Sequence, residues 1–389
     1  MSNLLESRWT ETKATLMEGL SGNRAKVMDV TLENTRRHLR ESATAGATSA
    51  GNVSTLNRVI LPIIRRVMPT VIANELIGVQ PMTGPVGQIH TLRVRYQDSF
   101  TGSAGGSTIP GEEALSPFKI AEGYSGNTNG KADSTAAKEG VAGNRLGIQI
   151  LKQTVEAKSR KMSARWTFEA AQDAQAQQGI DIEAEIMAAL AQEITAEIDQ
   201  EILTSLSTLA GSNNLIAWNQ TQVSGVATFV GDEHASLAVA INRVANTIAQ
   251  RTRRGAGNWA VVSPTALTIL QSATTSAFAR TTEGTFEAPT NTKFVGTLNS
   301  AMKIYVNTYA ANDDVLIGYK GSTETDAASF FCPYIPLMSS GVVLDPATFE
   351  PTVSFMTRYG YVELNNTSSS LGNSADFLGK VTVAQSSFF

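Results

Sequence analysis

The feature that most constrains the fold of this chain is a ladder of aliphatic residues with an unbroken spacing of four. The ladder lies in a segment without proline or glycine and comprises Ile182, Ile186, Leu190, Ile194, Ile198, Ile202 and Leu206. A step of four residues advances about 400° around an α-helix, so the apolar line drifts by roughly 40° per step. The sequence therefore predicts a long helix, at about residues 180–209, that different neighbours cover at its two ends.

The charge of this helix is one-sided. No Lys or Arg occurs between Trp166 and Asn242. Acidic side chains on the helix are Glu183, Glu185, Glu193, Glu197, Asp199 and Glu201. The segment just before it is strand-like and basic, with Lys152, Lys158, Arg160, Lys161 and Arg165. We expect a basic surface to lie near the acidic helix.

Composition narrows the class of protein. The chain has 389 residues, which favours two or three domains, and its one cysteine, Cys332, rules out a disulfide within the chain. Charged residues make up 17% of the sequence, against about 25% in typical soluble domains. Such a surface is typical either of a chain with much loop or of a protein that works within an assembly. The net charge of −4 argues against a dedicated nucleic-acid binder.

The spacing of apolar residues and the local composition divide the chain into several segments. Residues 2–40 have helical spacing and are expected to form a separable arm, followed by a small, polar linker at 43–54 and a helix at 56–68. A glycine-rich stretch at 99–147 has almost no apolar periodicity, so it should be functional, ordered by a partner, or an extended hairpin. After Gly211 helix and strand patterns alternate, which predicts a compact α/β domain; strand patterns return after Ser340.

Two helices can be predicted within this α/β domain. Leu237, Ile241, Val244 and Ile248 have the spacing of an amphipathic helix. Ser263, followed by Pro264 at the first helical position, predicts the capped start of the next helix.

Motifs for enzyme chemistry are absent or incomplete. Gly126, Gly130 and Lys131 resemble a phosphate loop, but Ser125 stands where that motif needs its first glycine and Ala132 where it needs Ser or Thr. None of the three histidines stands at a metal-ligand spacing from another histidine or from Cys332. We therefore predict no catalytic residue, no cofactor and no metal. A hydrolase-like or nucleotide-using enzyme is the competing class.

Six collinear segments resemble the major capsid proteins of T-even-like tailed phages. The first, RRVMPTVIANELIGVQPMTGPVG, runs from Arg65 to Gly87. The others lie at 155–173, 252–264, 296–309, 318–337 and 345–362. Because they occur in the same order and span most of the chain after Arg65, the resemblance is far more specific than any one segment.

The resemblance implies an α+β fold of the HK97 type, with an N-terminal arm, an extended loop, a peripheral domain crossed by a long spine helix, and an α/β axial domain. The corresponding boundaries are residues 1–56 for the arm, 57–96, 148–210 and 341–389 for the peripheral domain, 97–147 for the extended loop, and 211–340 for the axial domain.

The resemblance also implies a function. A major capsid protein is not an enzyme; it assembles with itself into hexameric capsomers of a phage head, in the host cytoplasm, and encloses packaged DNA without sequence-specific contacts or a membrane. Implied partners are a pentamer or vertex protein, a scaffold, a portal and decoration proteins. A vertex paralogue, or the shell protein of an encapsulating compartment, is the alternative reading of the same fold.

Two sets of residues are candidates for roles in assembly. Interface candidates, expected to contact a neighbouring subunit, are Arg65, Arg66, Lys152, Lys158, Arg160, Lys161, Arg165, Glu193 and Glu197. Relatives are trimmed by a prohead protease that prefers an aliphatic residue, any residue, then Glu. Of three such patterns, the one ending at Glu41 is favoured, because the Glu41–Ser42 bond is expected between the helical arm and the linker; residues 1–41 would then be a propeptide.

Overall fold

The computed structural model describes residues 9, 13–14, 16–17, 20–44, 72–102, 107–112, 114, 123–178, 181–211, 215–219, 230–252, 254–273, 278–280, 292–299, 301–310, 312–323, 326–345, 348, 350–364 and 374–384. Helices and strands are both abundant and are mixed along these residues, in agreement with the α+β class. The strands form a five-stranded sheet, a seven-stranded sheet and a separate two-stranded hairpin.

The N-terminal helix is packed into the body of the chain. Helix α1 spans Gly22–Thr44, and its Val27, Met28 and Leu32 are buried in the same core as the ladder. Asn34 is also buried, and its Nδ2 donates to the carbonyl oxygens of Met82, at 2.7 Å, and Tyr334, at 3.0 Å. The helical prediction is confirmed, but the helix is not a separable arm, because its apolar face completes the core.

The glycine-rich stretch lies at the tip of a long hairpin. After the short helix α2 (Ala73–Leu76) and strand β1 (Gly78–Val79), strand β2 (Val86–Tyr96) pairs with β3 (Leu146–Glu156) in an antiparallel register of eleven residue pairs. The short helix α3 (Thr135–Lys138) lies in the tip. Of the alternatives left open by the sequence, the described residues show an extended hairpin.

The aliphatic ladder forms the longest helix of the described chain. It follows strand β4 (Lys158–Arg165) and helix α4 (Phe168–Gln178) as helix α5, Ile182–Ala210. Asp181 caps its start by accepting hydrogen bonds from the backbone N–H groups of Glu183 and Ala184. The ladder is buried from Leu190 to Leu206 and half-buried at Ile182 and Ile186. Each buried side chain of this size contributes about 1.5–3 kcal/mol, so the helix is held by its packing.

The α/β pattern after Gly211 forms two helices and six strands of the seven-stranded sheet. Its elements in chain order are β5 (Leu215–Asn219), α6 (Val230–Thr252), β6 (Trp259–Val262), α7 (Pro264–Ser272), β7 (Phe278–Arg280), β8 (Thr292–Leu298), β9 (Met302–Asn307) and β10 (Asp314–Gly318). The predicted cap of α7 is confirmed, because the Ser263 hydroxyl accepts from the N–H of Ala266 at 3.1 Å. The predicted amphipathic face of α6 is buried in a second core, separate from that of the ladder.

The five-stranded sheet lies against helix α5. It consists of β1, β4, β11 (Ser329–Ser339), β12 (Val343–Leu344) and β13 (Pro351–Glu363), and β13 pairs with β11, β12 and β4. Phe331, Val353 and Phe355 of this sheet share one core with α1 and α5. Buried and less buried residues alternate along β13, as expected for a sheet covered mainly on one face.

Two strands belong to sheets other than those expected from the sequence. Strand β11 lies within residues 211–340, assigned to the axial domain, but pairs with β1 and β13 of the five-stranded sheet. A 3₁₀ turn (Ser374–Phe377) leads into β14 (Leu378–Ala384), assigned to the peripheral domain; β14 pairs with β5 and β10 of the seven-stranded sheet. An alternating pattern identifies a strand but not its partners, which are distant in sequence.

Candidate assembly surfaces

The hairpin carries an apolar surface that is exposed in the described part of the chain. Leu146, Ile148 and Ile150 alternate along β3 on one face and are 54%, 71% and 66% exposed. Ile148 lies opposite Val94 of β2 in the register. A two-stranded hairpin alone is only marginally stable in water, and contiguous exposed apolar side chains are typical of a contact surface.

The hairpin is anchored at its base. The Nε2 of Gln153 donates to the carbonyl oxygen of Glu363 at 2.6 Å, and Val155 is buried. Gly360 of β13 packs against the base of β3. A Cβ atom at Gly360 would lie 2.4 Å from Cγ1 of Val155 and 3.1 Å from the carbonyl oxygen of Glu156. The absence of a side chain at Gly360 thus allows the hairpin to pack closely on the sheet.

The tip of the hairpin has its own polar and aromatic contacts. The Arg145 guanidinium contacts the Asp98 carboxylate at 2.9 Å, and its hydrogen bond lowers the pKa of Asp98 below the usual range. The Tyr124 hydroxyl donates to the carbonyl oxygen of Arg145 at 2.7 Å, and the Tyr124 ring packs on Tyr96 with centroids 4.6 Å apart. These contacts give the glycine-rich tip a defined shape without a large apolar core.

Arg160 connects the basic strand to the acidic helix within one chain. Its guanidinium contacts Glu197 at 2.8 Å, the Tyr359 hydroxyl at 2.6 Å, and Glu201. Burial opposes ionisation of Glu201, but hydrogen bonds from Tyr359 and Arg160 outweigh it and hold the pKa of Glu201 below its usual value. The basic segment therefore does lie beside the acidic helix, and for Arg160 and Glu197 the observed contact is intrachain.

The other basic candidates are exposed, and Lys158 lies on the same side of β4 as Arg160, where its charge helps to lower the pKa of Glu201. Strand residues alternate between faces, so Lys161 and Arg165 lie on the side of β4 opposite to Arg160, and both are exposed. Lys158 at the start of β4 and Lys152 on the hairpin are exposed as well. Arg165 has one acidic neighbour, Glu350, at 3.7 Å. These four cations are placed where a neighbouring molecule can reach them.

The remaining candidate residues are Glu193, the Arg65–Arg66 pair and the proposed cleavage site. Glu193 on α5 is exposed, one turn before Glu197. Arg65 and Arg66 lie outside the described residues. The backbone of Glu41 and Ser42 is helical, inside α1, and not at the junction between a helix and a linker as expected from the sequence. Their side chains lie outside the described part of the chain.

Groups suited to metal binding are not assembled in the described residues. Among those residues no three His, Cys, Asp or Glu side chains lie together in a way that could hold a metal ion. Cys332 is buried, and burial raises the pKa of its thiol to about 11, which makes it a poor nucleophile. No helix in the described part of the chain is both long and apolar enough to span a bilayer.

Sequence reasoning missed three residues that organise these surfaces. Gly360 and Asn34 were not singled out because a close approach and a buried amide contact both depend on partners far away in sequence. Glu75 was missed for the same reason, since it joins Arg24 of α1 to Tyr305 of β9. The only sequence signal is that Asn34 interrupts the apolar face of its helix.

Sequence comparisons show which known proteins this chain is similar to. The model of the family described as major capsid protein Gp23 matches residues 53–383. The major capsid protein of Vibrio phage KVP40 is 30% identical, covering 82% of this chain and 78% of that protein. The major capsid protein of Salmonella phage ViI is 30% identical, covering 86% and 83%. That of Enterobacteria phage T4 is 28% identical, covering 81% and 76%.

The solved structures that align with this chain have lower sequence identity to it than these relatives. The capsid of Myoviridae phage XM1 aligns with a TM-score of 0.45 and 10% identity, over 81% of this chain and 92% of that chain. A chain from Microbacterium phage Oxtober96 aligns with a TM-score of 0.49 and 12% identity, over 80% and 90%. The family match alone covers far more than half of the sequence, so this chain belongs to the Gp23 family of phage major capsid proteins.

Proposed function

We propose that this major capsid protein assembles into hexameric capsomers, using its projecting hairpin as the main contact between neighbouring subunits. The observation that carries the proposal is the exposed face of Leu146, Ile148 and Ile150 on a hairpin whose base is firmly anchored. A rigidly held apolar surface can bind a neighbouring copy without first being ordered, which lowers the entropic cost of association. Many such contacts then add up over a closed shell.

The domain assignment that we propose follows the sheets. The peripheral domain comprises the five-stranded sheet, helix α5 and the packed helix α1, with the hairpin as the extended loop. The axial domain comprises the seven-stranded sheet, from β5 to β10 together with β14. This division keeps the HK97-type plan while moving β11 and β14 to the sheets in which they pair.

Other partners belong to the same proposal. A head shell assembled in the host cytoplasm would meet a scaffold, a portal, a pentamer or vertex protein and decoration proteins, and would enclose DNA. Lys152, Lys158, Lys161 and Arg165 are exposed cations that can meet an acidic surface of a neighbouring subunit. Each exposed pair contributes about 0–1 kcal/mol, so such contacts set register more than stability.

Electron microscopy of the recombinant full-length protein tests the proposed assembly. Shells, tubes or hexameric rings are the expected result. A vertex paralogue is distinguished by its copy number, because a major shell protein dominates the stained gel of purified particles. Discrete small particles that never assemble at high concentration would contradict the proposed self-assembly.

A charge-reversal variant within that experiment tests the acidic helix. Glu193→Lys is expected to reduce the yield of assembled particles while the subunit stays soluble and folded, because Glu193 is exposed and its carboxylate is available to a neighbour. Glu197→Lys is the less specific variant, since Glu197 also contacts Arg160 within the chain. Normal particles from Glu193→Lys would remove Glu193 from the interface.

Processing by a prohead protease is a separate part of the proposal. Cleavage at Glu41–Ser42 requires the end of α1 to unfold first, because proteases bind extended backbone and this bond is helical. We expect mature particles to contain a chain that begins at Ser42. Intact-mass measurement on purified particles decides the matter: a mass close to 41.4 kDa would show that the chain is not processed.

A further inference from the structure

A short segment lies where the N-terminal helix, the long helix and both sheets meet. This coupling segment, residues 72–79, consists of α2 and β1. Its strand runs parallel to β11, with Gly78 opposite Phe330. At its start the backbone N–H of Ile72 donates to a carboxylate oxygen of the buried Asp199 on α5, at 2.9 Å. The segment is therefore fixed to the five-stranded sheet and to the long helix.

Within this segment, Glu75 forms a polar bridge between α1 and the seven-stranded sheet, both of which also contribute side chains to the core of the ladder. One carboxylate oxygen forms an ion pair with the Arg24 guanidinium of α1. The other accepts a hydrogen bond from the Tyr305 hydroxyl of β9 at 3.3 Å and lies 3.6 Å from the Lys303 ammonium of the same strand. Burial raises the pKa of Tyr305, and the Glu75 charge raises it further, so the hydroxyl remains a donor at neutral pH.

Flanking contacts join the same two bodies to the segment. On the side of the seven-stranded sheet, the Lys320 ammonium donates to the carbonyl oxygen of Asn74 at 2.8 Å. On the side of α1, the Asn23 amide donates to the carbonyl oxygen of Val79 at 3.3 Å. Helix α1 and the seven-stranded sheet thus both hold the coupling segment, and both contact the Glu75 carboxylate.

We propose that Glu75 is a latch that transmits the docked state of the N-terminal helix to the seven-stranded sheet. While α1 is docked, Arg24 binds one carboxylate oxygen of Glu75. The carboxylate is thereby oriented so that its other oxygen contacts Tyr305 and Lys303. When α1 detaches, the carboxylate loses that cation and is free to turn away from Tyr305 and Lys303, which loosens β9. Helix α1 with Arg24 lies outside the matched residues 53–383, whereas Glu75, Tyr305 and Lys303 lie within them, so the latch joins a segment beyond the family match to the shared region.

The latch is tested on unassembled full-length subunits by hydrogen–deuterium exchange of the amides of β9. Arg24→Ala is expected to accelerate exchange there about two- to fivefold, the effect of losing one partly exposed ion pair. Lys26→Ala, which removes an exposed cation from the same helix, is the matched control and should leave exchange on β9 unchanged. Equal exchange in wild type and Arg24→Ala would overturn the proposal.

A second comparison separates transmission through Glu75 from a general loosening of the subunit. In a Glu75→Gln background, Arg24→Ala should add less than about a twofold change on β9, because the group that connects the two sites is gone. An undiminished effect of Arg24→Ala in that background would show that the helix acts by another route. Since the measurement uses subunits before assembly, its failure would leave the proposed capsomer function untouched, and failure to assemble would leave the latch untouched.

Discussion

Replacing Ile148 and Ile150 by aspartate is expected to abolish assembly while leaving the subunit folded. Both side chains are more than half exposed on β3, so a charged group there meets water in the free subunit and costs little stability. In an assembled shell the same group would be buried against a neighbour, and burying an unpaired carboxylate costs several kcal/mol. Because this desolvation cost recurs at every contact between subunits, it exceeds the favourable free energy of the interface.

The matched controls use the same hairpin. Ile148→Val with Ile150→Val keeps branched apolar side chains in place and should still assemble. Gln149→Asp introduces a carboxylate on the opposite face of β3, where Gln149 is exposed, and separates the effect of the apolar face from that of added charge. Particle yield by electron microscopy and folding by circular dichroism are the measurements. Normal particles from the aspartate variant would show that this face makes no essential contact.

Local patterns predicted the elements of the fold well. The ladder from Ile182 to Leu206 predicted helix α5 to within two residues at each end, because helix periodicity is a property of the segment itself. Ser263 and Pro264 likewise predicted the start of α7, since a cap involves only its own first turn. Helix periodicity and helix caps can be predicted because they depend only on residues close together in the sequence.

Tertiary pairing was predicted less well. The boundary at residue 340 separated β11 from β13, although the two strands pair in one sheet. Arg160 was expected to meet an acidic helix, and it does, but sequence alone could not show that the partner is its own α5. Contacts between residues far apart in the chain depend on the whole fold, which local periodicity does not contain.

Gly360→Ala is the second substitution from which we expect a large effect. The new Cβ would lie 2.4 Å from Cγ1 of Val155 and 3.1 Å from the Glu156 carbonyl oxygen, so the base of β3 must move. Overpacking of this kind costs about 1–3 kcal/mol, which lowers the melting temperature by several degrees. The hairpin is about 35 Å long, so a tilt of about 5° at its base displaces the tip by roughly 3 Å. We therefore expect Gly360→Ala to reduce the yield of assembled particles much more strongly than it reduces the stability of the subunit.

Two further variants determine whether the effect arises from the base of the hairpin. Gly84→Ala, where the new Cβ would have only the Val86 carbonyl oxygen nearby, at 3.9 Å, should change neither melting temperature nor assembly. Combining Gly360→Ala with Val155→Ala removes the closest clash and should recover part of the assembly, although the contact with the Glu156 carbonyl remains. If Gly360→Ala assembled normally, the hairpin would have to tolerate a change of angle, and a rigid base could no longer explain how its apolar face finds a neighbouring subunit.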